Sequence, residues 1–182
     1  MGVYGVYALT NAWFVARGAG ATALAGVNLV LPILLVLGAI GATVGAGGAS
    51  LVSRHLGAGD PAAAARVAGN AIVVFGAGAL LISAAGLLFL EPLLTALGAT
   101  GPSRDYARPY AVVILCGSLF ATGFSSLVRA EGRMRFSTLQ WVLGVLSQAG
   151  LVALLIFGLG LGVRGAALGT VGGQAVSTLM AV

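Results

Sequence analysis

Residues 18–53, GAGATALAGVNLVLPILLVLGAIGATVGAGGASLVS, contain no charged side chain. An α-helix crosses the ~30 Å hydrocarbon core of a bilayer in ~20 apolar residues, so this run is long enough to span it. Residues 67–90, 109–128, 136–163 and 165–182 are uncharged over comparable lengths, and residues 1–16 form a slightly shorter run. Charged residues make up 7% of the chain, against about a quarter in an ordinary soluble domain, and mean hydropathy is +1.09. All nine basic residues are arginine, and each lies between the runs. An Arg moved to the centre of a span costs about 2.5–3.5 kcal/mol, which explains that placement. A soluble bundle needs a polar surface that this composition cannot supply. The fold class is therefore all-α, a polytopic membrane protein of about six transmembrane helices.

The same residues exclude other classes. A pI near 10.4 invites nucleic acid, but the arginines are scattered over several short loops and build no continuous basic face. Cys116 is the only cysteine, so there is no disulfide framework. The N-terminus shows neither a basic leader nor a small-residue cleavage site, and no removable signal peptide is expected. Glycine-rich runs without a Walker lysine or a strand–turn–helix context do not cradle phosphate. His55, the single histidine, cannot build a metal site with one mid-span cysteine. Gly123-Phe124-Ser125 places a serine beside glycine, but a nucleophile needs a base within reach, and no span contains His or Lys. The chain reads as a non-enzyme with no cofactor.

The expected helices are 2–16, 22–52, 62–90, 108–128, 136–157 and 164–182, forming one lobe over 1–182. Leu56-Gly57-Ala58-Gly59 reads as a turn after the second helix, and Asp60-Pro61 as an N-cap followed by proline in the first helical position. Glu91-Pro92 and Gly101-Pro102 bracket a short apolar connection at the interface. The loops after helices 2 and 4 carry Arg54, Arg66, Arg129, Arg133 and Arg135, and the other side carries Arg17, Arg104, Arg108 and Arg164. Three of the first group crowd into one turn. The positive-inside rule then puts those loops and the N-terminus in the cytoplasm, of a multi-pass protein in the inner (plasma) membrane.

Glycine supplies 30 residues. Gly41/Gly45 and Gly165/Gly169/Gly173 recur every fourth position, a spacing that lets membrane helices approach closely. Polar residues also fall at helical spacing. Asn28, Pro32, Thr43 and Ser50 share about 60° of arc on helix 2; Ser118, Thr122, Ser125 and Ser126 line helix 4; Gln140, Gly144, Ser147 and Gln148 line helix 5. Facing lipid, such groups lack partners, so these stripes should turn toward neighbouring helices or a water-filled cavity. Asn28, Thr43, Ser118, Thr122, Ser125, Gln140 and Gln148 are the cavity candidates. Ordinary interhelical hydrogen bonding, worth about 0.6 kcal/mol per bond, is the plainer role for any one of them.

Ser53-Arg54-His55-Leu56-Gly57-Ala58-Gly59-Asp60 resembles the corresponding loop of the multidrug and toxic compound extrusion (MATE) family. Three further segments agree in order: Gly20-Ala21-Thr22-Ala23-Leu24-Ala25-Gly26 through Pro32; Arg129-Ala130-Glu131-Gly132-Arg133-Met134-Arg135; and Ile156-Phe157-Gly158 with Gly165-Ala166-Ala167-Leu168-Gly169-Thr170. The resemblance implies an antiporter of organic cations and amphipathic drugs, driven by a proton or sodium gradient. It also implies two six-helix lobes around a central cavity, of which this chain would be the first, with a second lobe expected in the complete protein. Many proton-coupled members carry an aspartate in helix 1, where this chain has Asn11, and an Asn and Asp in helix 5, where it has Gln148 and Val152. Asn11 thereby joins the cavity candidates, and carboxylate-based proton coupling in this lobe is in doubt. Two other readings stand beside this one. A lipid-linked oligosaccharide flippase of the same superfamily should line its cavity with cationic residues to meet pyrophosphate, and a non-transporting membrane scaffold should lack inward polar stripes.

The orientation is testable in a Cys116→Ser background. A cysteine placed at Ala58 is expected to resist an impermeant thiol reagent in intact cells, whereas one at Thr100 reacts. The opposite labelling pattern means the topology is inverted.

Overall fold

The computed structural model describes residues 2–118 and 134–179, and among these every regular element is helical. The order is α1 (Gly2–Ala19), α2 (Ala21–Leu29), α3 (Leu31–Gly57), α4 (Pro61–Leu88), α5 (Leu90–Ala96), α6 (Pro102–Cys116), α7 (Met134–Ala153), a π-helical turn (Leu154–Gly158) and α8 (Gly162–Leu179). Among the described residues, three stretches are long and apolar enough to cross a membrane: α3 and α4, with mean hydropathies of 1.9 and 2.4, and Thr138–Gly158, with 2.0. The chain is an all-α membrane protein. Its elements pair as two antiparallel hairpins, α3 with α4 and α7 with α8, while α6 packs against both α2 and α8.

Local chemistry sets several ends. Gly59 takes φ +76°, a conformation costly for any residue with a Cβ. Asp60 then caps α4, its carboxylate accepting from the Ala63 N–H at 2.8 Å, with Pro61 in the first turn. Across the short α5, Glu91 accepts hydrogen bonds from Arg104 and Arg108 of α6. The Arg104 guanidinium, and after it Arg108, holds the Glu91 carboxyl below the usual carboxylate range.

The expected helix over 22–52 is two helices. Pro32 has no N–H to give the Asn28 carbonyl, and the N–H groups of Ile33 and Leu34 both turn to the Val30 carbonyl, at 3.0 and 3.4 Å. The chain breaks at Val30, α3 running on to Gly57. The helix expected to begin at Arg108 starts at Pro102, because Gly101-Pro102 supplies a turn and a proline suited to the first helical position. Pro109 then lies inside α6. The first helix continues past Ala16 to Ala19, stopping at Gly20 with φ +90°. The fifth loses α geometry after Ala153 and finishes as a π turn, and the last begins at Gly162 instead of Arg164.

The main apolar core joins α1, α2, α5, α6 and α8 through Val15, Ala23, Leu94, Ala107, Leu115 and Ala166, each no more than 1% exposed. The outer face of α4 is large and aliphatic, with Val73, Leu81 and Leu88 all exposed. Side chains of this kind suit lipid. The outer side of α3 is aliphatic at Leu35, Val36 and Leu51 but different between them: Ala39, Thr43, Ala46, Gly47 and Ser50 are small or carry hydroxyls, and all are exposed. The stripe expected to turn inward from helix 2 faces away from the rest of the chain over this stretch.

Glycine makes the α7–α8 hairpin close. A Cβ on Gly169 would sit 2.5 Å from Val152 Cγ2 and 2.7 Å from the Val152 nitrogen, and one on Gly173 would sit 2.3 Å from Gln148 Cβ. A Cβ on Gly165 would sit 3.0 Å from the Leu155 backbone. Such approach maximises dispersion contact between helices that gain nothing from hydrophobic burial in lipid. Gly169→Ala is therefore expected to destabilise by roughly 1–3 kcal/mol, since backbone must move. Gly47→Ala, with nothing within 4 Å of the new Cβ, is expected to be neutral or stabilising by up to about 1 kcal/mol. Thermal unfolding in detergent measures both, and equal effects would contradict the packing argument.

Candidate substrate cavity

Six elements converge on a cavity of about 340 Å³. Asn11 and Val15 reach it from α1, Leu24, Val27 and Asn28 from α2, and Leu34, Leu37 and Gly41 from α3. Tyr110 and Ile114 come from α6, with Ser118 just beyond it; Gly144 and Gln148 come from α7, and Thr170, Gln174 and Ser177 from α8. The break at Val30 shapes this wall, because it lets α2 and α3 present successive side chains to one space. Asn28, Leu31 and Gly38 are exposed and form a rim, so the cavity opens at the surface of the lobe.

The lining is apolar with scattered polar groups, and among the described residues none of those lining it is Asp, Glu, Lys, Arg or His. Ser83 of α4 donates its hydroxyl to the Leu115 carbonyl at 2.5 Å and pairs with the Ser118 hydroxyl at 2.5 Å. A hydroxyl has one hydrogen. With that of Ser83 on the carbonyl, Ser118 is the donor to Ser83, and its oxygen remains an acceptor. Thr170 donates to the Ala166 carbonyl at 2.9 Å. The Asn11 Oδ1 is buried without a hydrogen-bond partner among the described residues, an arrangement that costs about 1–3 kcal/mol.

Of the sequence candidates, Asn11, Asn28, Ser118 and Gln148 meet in this cavity. Gln140 does not line it. It is 1% exposed in the α7–α8 seam, where its amide donates to the Ser177 carbonyl at 2.7 Å while its Oε1 is unpaired. Thr43 stands on the exposed face of α3, outside the cavity. Thr122 and Ser125 lie outside the described residues. Tyr110, Thr170, Gln174 and Ser177 were not anticipated. Gln174 and Ser177 repeat the i, i+3 spacing used elsewhere, and the polar face of α8 could have been read from Thr170, Gln174 and Ser177 together. Val152 is 1% exposed, with Gly169 packed close against it.

A sequence model of the MatE family matches residues 3–154. The chain belongs to the MatE family. It is 32% identical over 181 residues to the multidrug export protein MepA of Staphylococcus haemolyticus (strain JCSC1435), covering 96% of this chain and 39% of that protein. It is 29% identical over 172 residues to an FAD transporter of Shewanella oneidensis, covering 90% of this chain and 38% of the relative. Among solved structures, an outward-facing multidrug resistance MATE family transporter of the MOP superfamily superposes with a TM-score of 0.91 at 30% identity, covering all of this chain and 41% of that one. The chain thus spans about two-fifths of the length of the MatE relatives it matches.

Asn11 carries no titrating group, so none is lost when it is truncated. In the complete transporter, Asn11→Ala is expected to leave the shape of the pH profile of transport unchanged, whatever it does to the rate. Asn11→Asp is expected to introduce a pH dependence below neutrality. Transport rates between pH 5.5 and 8 check both, and a shifted profile in the alanine variant would place Asn11 in a proton pathway.

Proposed function

We propose that these residues form the first of two lobes of a secondary active efflux transporter, an antiporter that exports organic cations and other amphipathic drugs across the cell membrane. The observation that carries this reading is the family match over residues 3–154 on a chain whose helices converge on a surface-opening cavity. Alternating access in transporters built from repeats works by rocking one bundle against another around a site at their interface. A cavity opening at the surface of one bundle suits that role. Its apolar walls can hold rings and alkyl groups, and its amides and hydroxyls can orient a solute. The N-terminus lies in the cytoplasm on the arginine distribution given above.

The driving ion is a proton or sodium. Carboxamides do not exchange protons near neutral pH, so Asn11 and Gln148 do not relay protons, and coupling falls to groups outside this cavity lining, including those of the second lobe. A flippase for a pyrophosphate-linked lipid is less well served, because no cationic side chain lines the cavity among the described residues.

Reconstitution tests the reading. The complete protein in liposomes is expected to accumulate a fluorescent organic cation when a proton or sodium gradient is imposed, and to lose that accumulation when the gradient is collapsed. The 182-residue chain alone is expected to show none. Gradient-driven uptake by the chain alone would show a self-sufficient, dimeric transporter, and no uptake by the complete protein under either gradient would remove the antiporter assignment.

A further inference from the structure

One face of α1 is unpartnered, and its chemistry changes in order along the helix axis. Leu9, Trp13 and Arg17 are all exposed and share about 80° of arc. They run from an aliphatic side chain through an amphipathic aromatic to a cation in the last turn. Asn11, Ala12 and Val15, which line the cavity, stand on the opposite side of the helix. The stripe therefore points away from the space around which two lobes would rock. The Arg17 guanidinium carbon lies over the Trp13 ring, 5.0 Å from its centroid, a cation–π contact that orients the cation without neutralising it. Among the described residues both ion pairs are made by Glu91, so Arg17 has no carboxylate. Phe14 meets Phe157 edge to face, ring centroids 5.8 Å apart, and the exposed Phe157 extends the apolar surface onto the π turn. A second exposed arginine, Arg164, stands two residues beyond Gly162, where a Cβ would lie 3.9 Å from that of Ala19. Its charge adds to the positive potential at this end of the lobe.

We propose that this face of α1 holds an anionic phospholipid, its phosphate on the Arg17 guanidinium, its glycerol region against the Trp13 indole and an acyl chain along Leu9 and Phe157. The order of the stripe is the order of such a lipid. A guanidinium presents a planar fork of N–H donors that takes phosphate oxygens in pairs. Tryptophan rings settle at headgroup level, where one edge is wet and the other apolar. Leu9 lies one further turn, ~6 Å, toward the hydrocarbon. A zwitterionic lipid carries the same phosphate, but its ammonium opposes the field of Arg17 and Arg164, so the net negative headgroup is preferred. The site depends on membrane residence and not on what the cavity carries.

The probe is phosphatidylglycerol with a diazirine on one acyl chain, present as a trace in phosphatidylcholine nanodiscs that hold the complete protein. After illumination, cross-linked peptides are mapped by mass spectrometry. The aliphatic outer face of α4, at Val73 and Leu81, supplies the level set by bulk lipid. Labelling at Leu9, Trp13 and Phe157 is expected to exceed that level about fivefold, equivalent to about 1 kcal/mol. The excess is expected to vanish when the nanodisc itself is phosphatidylglycerol, and when the probe is a phosphatidylcholine with the same chain. Arg17→Gln is expected to remove most of the excess and Arg17→Lys, which keeps the charge, to retain most of it. Because Arg17 is exposed, thermal unfolding of both variants should match the native protein; Trp13→Leu, expected to lower the excess as well, serves if Arg17→Gln does not fold. An excess that survives Arg17→Gln, or that the phosphatidylcholine probe reproduces, overturns the proposal. So does labelling of the stripe at or below the α4 level, the result expected if the second lobe or another copy of the protein covers this face.

Discussion

The contact between α7 and α8 governs the geometry of the lobe's polar side chains. Gly165, Gly169 and Gly173 bring α8 against the backbone of Leu155, Val152 and Gln148, and Gly144 meets Ser177 in the same seam, a Cβ there lying 3.0 Å from the serine Cβ. Lipid tails are as apolar as leucine, so helices in a bilayer associate by fit and hydrogen bonding and not by expelling water. A methyl group at Gly173 would move Gln148 itself. The seam therefore positions the cavity wall as well as stabilising the hairpin, and it buries Gln140 where its amide donates to the Ser177 carbonyl. Packing and site share the same residues.

Helix breaks do the remaining shaping. The interruption at Val30 turns one long apolar run into two helices whose ends both reach the cavity, and it follows from a single missing donor at Pro32. At the other hairpin, the serine pair joins α4 to the end of α6, with Gly86 allowing Leu115 to approach, a Cβ there falling 2.8 Å from Leu115 Cδ2. Backbone irregularity at membrane depth is tolerated where protein or a water-filled cavity surrounds it. The break at Val30 meets that condition on its inner side, where Val30 is buried and Leu31 lines the cavity. Outside the bilayer region, a charged cluster of Glu91 with Arg104 and Arg108 ties α5 to α6, where exposure makes it a positioning contact more than a source of stability.

The two long helices of the α3–α4 hairpin show how side-chain size reports surroundings. Large aliphatics cover the outer face of α4, as suits hydrocarbon, while the middle of α3, over residues 39–50, shows alanine, glycine, serine and threonine between the exposed Leu35, Val36 and Leu51. A face of that kind gives lipid little to pack on and leaves its hydroxyls to hydrogen-bond within their own helix, as Ser53 does with the Ala49 carbonyl. Within these residues nothing covers it, in keeping with a chain that spans only 39% of a MatE relative.

Membrane residence and the all-α class were determined by the sequence itself, because charge placement and span length answer directly to the cost of burying an arginine or an open backbone in lipid. The Asp60-Pro61 helix start was equally legible, since a cap is made within one turn. Helix ends shifted by a few residues wherever a proline or glycine offered more than one stopping point, as at Val30 and Pro102. What periodicity cannot provide is rotation about the helix axis relative to neighbours. Thr43 and Gln148 both belong to polar stripes, yet one faces outward and the other lines the cavity, because the partner surfaces come from residues far away in the chain. The orphaned oxygen of Asn11 and the donor direction of Ser118 were decided by tertiary structure alone. Each depends on which distant group, none among the described residues for the Asn11 Oδ1 and Ser83 for Ser118, lies within hydrogen-bond reach.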